Sequence, residues 1–260
     1  RVFIECERSR KLSLRVNGCE AEVFCPGTVS TPYVFEVTDL VTGHDRLEFI
    51  CDNSYPGWPK DSIICSSAAT DETQTNWNGL LGYFSLRTEN ACFISGLRVY
   101  PVNGLLNVKA EVCADHAWES TMTLRSDALR REECALVRGE AGICEISFDS
   151  LELREDVANW DEDDGQLYTL TAEFAGERKT VRFGLREFAA RDGHLTLNGR
   201  PVFLRSEANC AVFPETGHPP MDTESWRKIL LQYRAYGVNC MRFHSHCPPE
   251  AAFTAASRSG

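Results

Sequence analysis

The chain has 260 residues, 43% of them hydrophobic and 25% charged, the composition of an ordinary folded chain of one or two domains, or more if some are small or incomplete. Its net charge of −11 argues against a nucleic-acid partner, which would call for a basic face. No apolar run approaches the roughly 18 residues of a membrane helix, so no membrane partner is expected.

The chain opens on Arg1-Val2-Phe3-Ile4-Glu5, with no visible leader and no initiator Met, so a processed or cut start is expected. Twelve cysteines are spread along it without a C-x-x-C pair, and a paired-cysteine zinc site is not expected. Most sit in strand-like runs and read as small buried hydrophobes of a reducing compartment, which places the protein in the cytoplasm.

Residues 1–96 read as short strands with turn punctuation. Leu12, Leu14 and Val16 alternate with Ser13 and Arg15, and Asn17-Gly18 then supplies a hairpin turn. Tyr33 to Val37, Leu47 to Cys51 and Phe84 to Thr88 are further strands, and helical periodicity is absent, which predicts a β-sandwich. The polar loop Asp71 to Gly79 carries Thr73, Asn76 and Trp77. An amide can fork onto sugar hydroxyls and an indole face can stack on a pyranose; the same residues also read as a surface turn with Trp77 tucked beneath it. Asp52 to Pro59, with Tyr55 and Trp58, carries the same two readings more weakly.

Residues 97–184 supply six strand candidates, at Leu97, Leu106, Thr121, Ile143, Tyr168 and Thr180, which fits an immunoglobulin-like sandwich. Trp160 to Gly165 is acidic but lacks the spacing of a calcium loop and reads as a solvated turn. From 185 the pattern changes. Asp192-Gly193 and Asn198-Gly199 flank a short strand, and Val202 to Arg205 is expected as a strand followed by a long loop, Ser206 to Met221. A helix follows, with Asp222 as its N-cap, Trp226, Ile229, Leu230 and Tyr233 on one face, and Gly237 as its stop. Val238 to Met241 is the next expected strand. Arg242, His244 and His246 cluster where it ends, and Pro248-Pro249 opens a last helix. That order is a βα unit with ionisable groups at the carboxyl end of its strand, where α/β barrels keep their chemistry. The bland alternative is an Arg242 paired with a carboxylate and two satisfied loop histidines.

The stretch from Val238 to Pro249 resembles the strand-two signature of glycoside hydrolase family 2, the β-galactosidase and β-glucuronidase group. Phe183-Gly184-Leu185-Arg186-Glu187-Phe188, Leu197-Asn198-Gly199-Arg200-Pro201-Val202 and Phe203-Leu204-Arg205 extend the resemblance, as do Arg15-Val16-Asn17-Gly18, Thr31-Pro32-Tyr33 and Val37-Thr38-Asp39-Leu40 upstream. The resemblance implies a mostly β chain in three parts. These are the carboxyl half of a sugar-binding jelly roll (1–96), an immunoglobulin-like spacer (97–184) and the first two βα units of a (β/α)8 TIM barrel (185–260).

It also implies a retaining β-glycosidase acting on β-galactosides, β-glucuronides or related glycans, with a carbohydrate as partner, no cofactor, no metal, and a homo-oligomer for the full-length enzyme. The family's two catalytic glutamates stand on strands four and seven, beyond Gly260, so no catalytic residue is assigned and this chain alone is expected to be inactive. What it would contribute is substrate binding through Arg242, His244, His246, Asn76, Trp77 and Thr73. Thr73 stands where the family often has Asp, which removes a carboxylate from that loop. Histidines fall two and four residues after Arg242, where the family commonly has one at three, so both stay candidates; strand alternation favours His244. The competing reading is a non-catalytic carbohydrate-binding or scaffold protein.

Overall fold

A computed structural model describes residues 1–54, 79–244 and 246–259. The described chain is mostly β, with several sheets, and it divides into two units. The first is formed by residues 1–88 and 204–256, the second mainly by residues 89–203.

In the first unit, strands Glu22–Cys25, Tyr33–Glu36, Val2–Arg8 and Leu81–Thr88 make one antiparallel sheet, in that order. Cys19–Glu20, Leu12–Val16 and Leu47–Cys51 make another. Alternation sends Ile4 and Cys6 of the first sheet and Leu12, Leu14 and Val16 of the second into one shared core with Phe35. The Asn17-Gly18 turn is confirmed: both residues have positive φ (54° and 86°), as a two-residue hairpin of this type requires. Strand Val2–Arg8 went unlisted in the sequence reading because Glu5, Glu7 and Arg8 mask its apolar half, yet it is central in its sheet.

The rest of this unit is a βαβ arrangement. Strands Ser206–Asn209 and Cys240–Phe243 pair in parallel, and helix Thr223–Ala235 lies between them in sequence. Both strands start later than expected, for identifiable reasons. Val202 still donates its amide to Leu195 in the preceding hairpin (2.9 Å). Val238 spends its amide on Tyr233 O (3.1 Å), closing the helix together with the Gly237 amide on Arg234 O (2.8 Å). The ladder therefore opens only at Ser206 opposite Cys240. The helix begins as predicted: the Ser225 amide donates to Asp222 Oδ1 at 2.8 Å. Trp226 is wholly buried, between Phe213 and Phe243.

In the second unit, Cys92–Val102, Leu105–Ala114 and Gly142–Glu152 form one antiparallel sheet. Glu133–Gly139, Trp118–Ser126, Tyr168–Phe174 and Glu177–Phe183 form a second. Val108, Ala110, Val112, Met122, Leu124 and Leu170 fill the core they share. The six expected strands are present; Glu133–Gly139 is an addition. The Asp192-Gly193 and Asn198-Gly199 turns join Phe188–Arg191, His194–Leu197 and Arg200–Pro201 into a small sheet. Residues 161–164 form a turn in which Asp161 Oδ1 accepts the amides of Asp163 and Asp164.

The cysteine expectation needs correction. Cys6 and Cys113 are buried, but Cys19, Cys25, Cys134, Cys210 and Cys247 are exposed: Cys134 alternates outward along its strand, Cys19 and Cys25 sit on short, mostly exposed strands, and Cys210 and Cys247 lie outside the strands. Burial, then the charges of Cys51 and Glu5, pushes the Cys6 thiol up to about 11, so it stays protonated and inert. Among the described residues no helix is long and apolar enough to cross a membrane, and no cluster of three His, Cys, Asp or Glu side chains could hold a metal.

Candidate functional site

Strands Ser206–Asn209 and Cys240–Phe243 end side by side, and their tips are tied together. The His244 amide donates to Asn209 O (2.8 Å), while buried Asn209 turns its side-chain Oδ1 to the Ala211 amide (3.0 Å). Period-two alternation sorts the second strand's side chains. Met241 and Phe243 pack with Trp226, and Arg242, opposite Ala208 in register, is left exposed.

Arg242 Nη1 donates to His244 Nδ1 at 3.0 Å. A guanidinium only donates, so His244 Nδ1 is the acceptor in this contact, and Nε2 is the ring nitrogen left to donate. His246 is oriented differently. Its Nδ1 donates to His244 O (3.0 Å), which leaves Nε2 as an acceptor, and its ring stands edge-on to Phe243 with centroids 5.5 Å apart. The structure thus brings Arg242 and His244 side chains together and gives His246 other neighbours. Thr73, Asn76 and Trp77 lie outside the described residues, as do Tyr55, Trp58 and Ser245.

Burial holds the His246 ring below the usual 6.5; the charge of Arg8, and that of His244 whenever it is protonated, act the same way, and the hydrogen bond to His244 O opposes them. Between the depressed folded value and 6.5 the unfolded ring binds more protons than the folded one. Stability should therefore rise as pH climbs through that window and be complete above it. Thermal melts between pH 5 and pH 7.5 should show this rise, and His246→Gln should flatten it. An identical slope in the variant would remove His246 as its source.

The carboxylates near these strands differ in their partners. Glu207 lies beside the Tyr233 hydroxyl, whose pKa is raised by burial first and then by Glu207, while Glu207 Oε2 is buried without a hydrogen-bond partner among the described residues. Glu7, from strand Val2–Arg8, is buried and accepts the amides of Tyr83 and Glu250, each at 3.2 Å. Beside it, buried Arg8 donates through Nη1 to Cys247 O (2.7 Å) and Val29 O (3.3 Å), and through Nη2 to Pro248 O. Sequence reading missed this pair. Its one signal is the polar run Glu7-Arg8-Ser9-Arg10, placed where the strand's apolar residues stop. Chemically the tip offers a cation, an imidazole N–H donor and an imidazole acceptor, a set suited to hydrogen-bonding hydroxyls.

No family model matches the chain. A β-galactosidase of Photobacterium profundum is 27% identical over 104 residues, 38% of this chain and 10% of that protein. Solved structures match all of the chain. A GH2 β-galacturonidase from Eisenbergiella tayi, bound to galacturonate, superposes with a TM-score of 0.81 at 16% identity, over 46% of its own length. A Bacteroides uniformis β-glucuronidase gives 0.78 at 15% over 33% of its length. An Amycolatopsis orientalis exo-chitosanase gives 0.76 at 20% over 32%. The chain spans less than half the length of each of these proteins. Along its whole length it therefore has a fold found in glycoside hydrolase family 2 enzymes, the family its sequence motifs resemble.

Proposed function

We propose that this chain is part of a retaining β-glycosidase of glycoside hydrolase family 2 and supplies one wall of its sugar pocket. The observation that carries this is the Arg242–His244 pair. It sits at the carboxyl end of two parallel strands, on the face turned away from Trp226. Active sites of α/β barrels occupy that end. On this reading residues 1–96 are the carboxyl half of a jelly roll, 97–184 an immunoglobulin-like spacer, and 185–260 the opening βα units of the barrel.

Arg242 then donates charged hydrogen bonds to substrate hydroxyls or to a catalytic carboxylate, a task suited to its rigid fork of donors. His244 Nε2–H donates to a hydroxyl. Cleavage with retention requires two carboxyl groups about 5–5.5 Å apart. Glu7 is committed to the amides of Tyr83 and Glu250, and Glu207 stands at no position matched to the family's catalytic pair; on this reading the pair belongs to another part of the enzyme, and these 260 residues alone are inactive. The substrates are β-galactosides, β-glucuronides or related glycans, in keeping with the β-galacturonidase, β-glucuronidase and exo-chitosanase named above.

The test is turnover of a panel of nitrophenyl β-glycosides by the longer gene product containing this chain. Arg242→Ala should lower kcat/KM by roughly 10- to 150-fold, the equivalent of losing about 1.5–3 kcal/mol of charged hydrogen bonding. Unchanged kcat/KM, or no turnover of any β-glycoside by the parent, would overturn the reading.

A further inference from the structure

The chain leaving the Arg242–His244 tip runs through Cys247-Pro248-Pro249 before helix Glu250–Ser259 begins. The two prolines remove two amide donors in succession, so this stretch cannot extend a ladder and its carbonyls need donors from elsewhere. Arg8 supplies them. Its guanidinium donates to the carbonyls of Cys247 and Pro248, from a residue 239 and 240 positions earlier in the chain, and it also holds Val29 O. Glu7 completes the hold. It takes the Glu250 amide at the first turn of the helix, where an anion is favoured by the exposed N–H groups and the macrodipole. Arg8 Nε lies 3.8 Å from Glu7 Oε1, and both residues are almost wholly buried, 4% and 5% exposed. A fork of donors on adjacent carbonyls fixes direction as well as distance, which a lysine cannot do.

We propose that Arg8, with Glu7 beside it, is a positioning residue for the Arg242–His244 tip, fixing the backbone that leaves it. The proposal rests on the tip being a substrate-binding wall. Arg8 touches no substrate; it acts through the segment it anchors. A displacement of about 1 Å in a positioned group can cost up to about 100-fold in rate. Arg8 also explains a property of the tip's neighbour: its charge is one of the causes that lower the His246 pKa.

Two measurements test this, one independent of catalysis. In the 260-residue chain, NMR should find that Arg8→Met raises the titration midpoint of His246 and strips protection from the Glu250 amide, while amides of strand Leu12–Val16 stay protected. Arg8→Lys keeps the charge and should hold the His246 midpoint nearer that of the parent, while still loosening Glu250. If neither observable moves in Arg8→Met, the anchor is refuted.

The second measurement uses the longer, active protein. Arg8→Met should lower kcat/KM about 10-fold or more in the parent background and have little further effect in the Arg242→Ala background, because both act on one wall. Fully additive losses would make Arg8 merely structural and overturn the proposal. Absence of any glycosidase activity in the parent would sink the function proposed above instead, and anchoring would then stand or fall on the NMR result.

Discussion

Trp226→Ala is expected to cost about 3–5 kcal/mol, the range for truncating a large buried aromatic. The whole indole is enclosed. It makes edge contacts with Phe213 and Phe243 at 6.0 and 5.8 Å, and its Nε1 donates to Pro220 O at 2.6 Å. Around it the packing is thin. Among the described residues the local cluster buries only Ala252 and Ala255 besides Trp226, with Phe213, Ile229, Leu230, Met241 and Phe243 half-covered. The two buried alanines cannot refill a cavity here, the larger neighbours are already committed to other contacts at its edge, and the Pro220 carbonyl loses its partner.

The loss should be local. Strands Leu12–Val16 and Tyr33–Glu36 belong to another core that does not contain Trp226. Hydrogen exchange should accordingly show helix Thr223–Ala235 and strand Cys240–Phe243 losing protection while the antiparallel sheets keep theirs. Since Phe243 adjoins both Arg242 and His244, the same variant should also weaken the tip. Unchanged protection across residues 223–243 would mean that Trp226 does not organise the unit.

How far the sequence foretold this arrangement depends on whether the information was local. The Thr223–Ala235 helix was legible from Asp222, the i, i+3, i+4, i+7 apolar spacing and Gly237, because caps and periodicity are set within a few residues. The Asn17-Gly18, Asp192-Gly193 and Asn198-Gly199 turns were legible for the same reason. The two parallel strands were found but misplaced toward the amino terminus. Their start depends on where the amides of Val202 and Val238 are consumed, in one case by a hairpin partner and in the other by a helix end. At the candidate site, Arg242 and His244 could be grouped by strand alternation, and they do form a hydrogen bond. Glu7 and Arg8 could not be connected to the tip at all. Their contacts span some 240 residues, and no local pattern marks a charge that will be buried.

Gly82→Ala should be nearly as costly as Trp226→Ala, at about 3–5 kcal/mol, for two separable reasons. Gly82 interrupts strand Leu81–Thr88 with φ of +85°, a conformation that costs an L-residue about 1–2 kcal/mol. A methyl at this position would also overlap Glu7 Oε2 and lie 2.7 Å from Met221 Cε. Met221 ends in a flexible thioether and can turn aside. Glu7 cannot do so freely, because it is buried and already committed to the amides of Tyr83 and Glu250. Driving it out leaves those donors unpaired, at about 1–3 kcal/mol for each that water cannot reach. A glycine within a strand often marks such a close approach, and here the group that approaches is the carboxylate capping helix Glu250–Ser259. A double-mutant cycle separates the two costs. In a Glu7→Ala background the obstacle is gone, and Gly82→Ala should then cost only the backbone portion, with a correspondingly smaller fall in Tm. Equal losses in both backgrounds would show that backbone conformation alone requires glycine at this position.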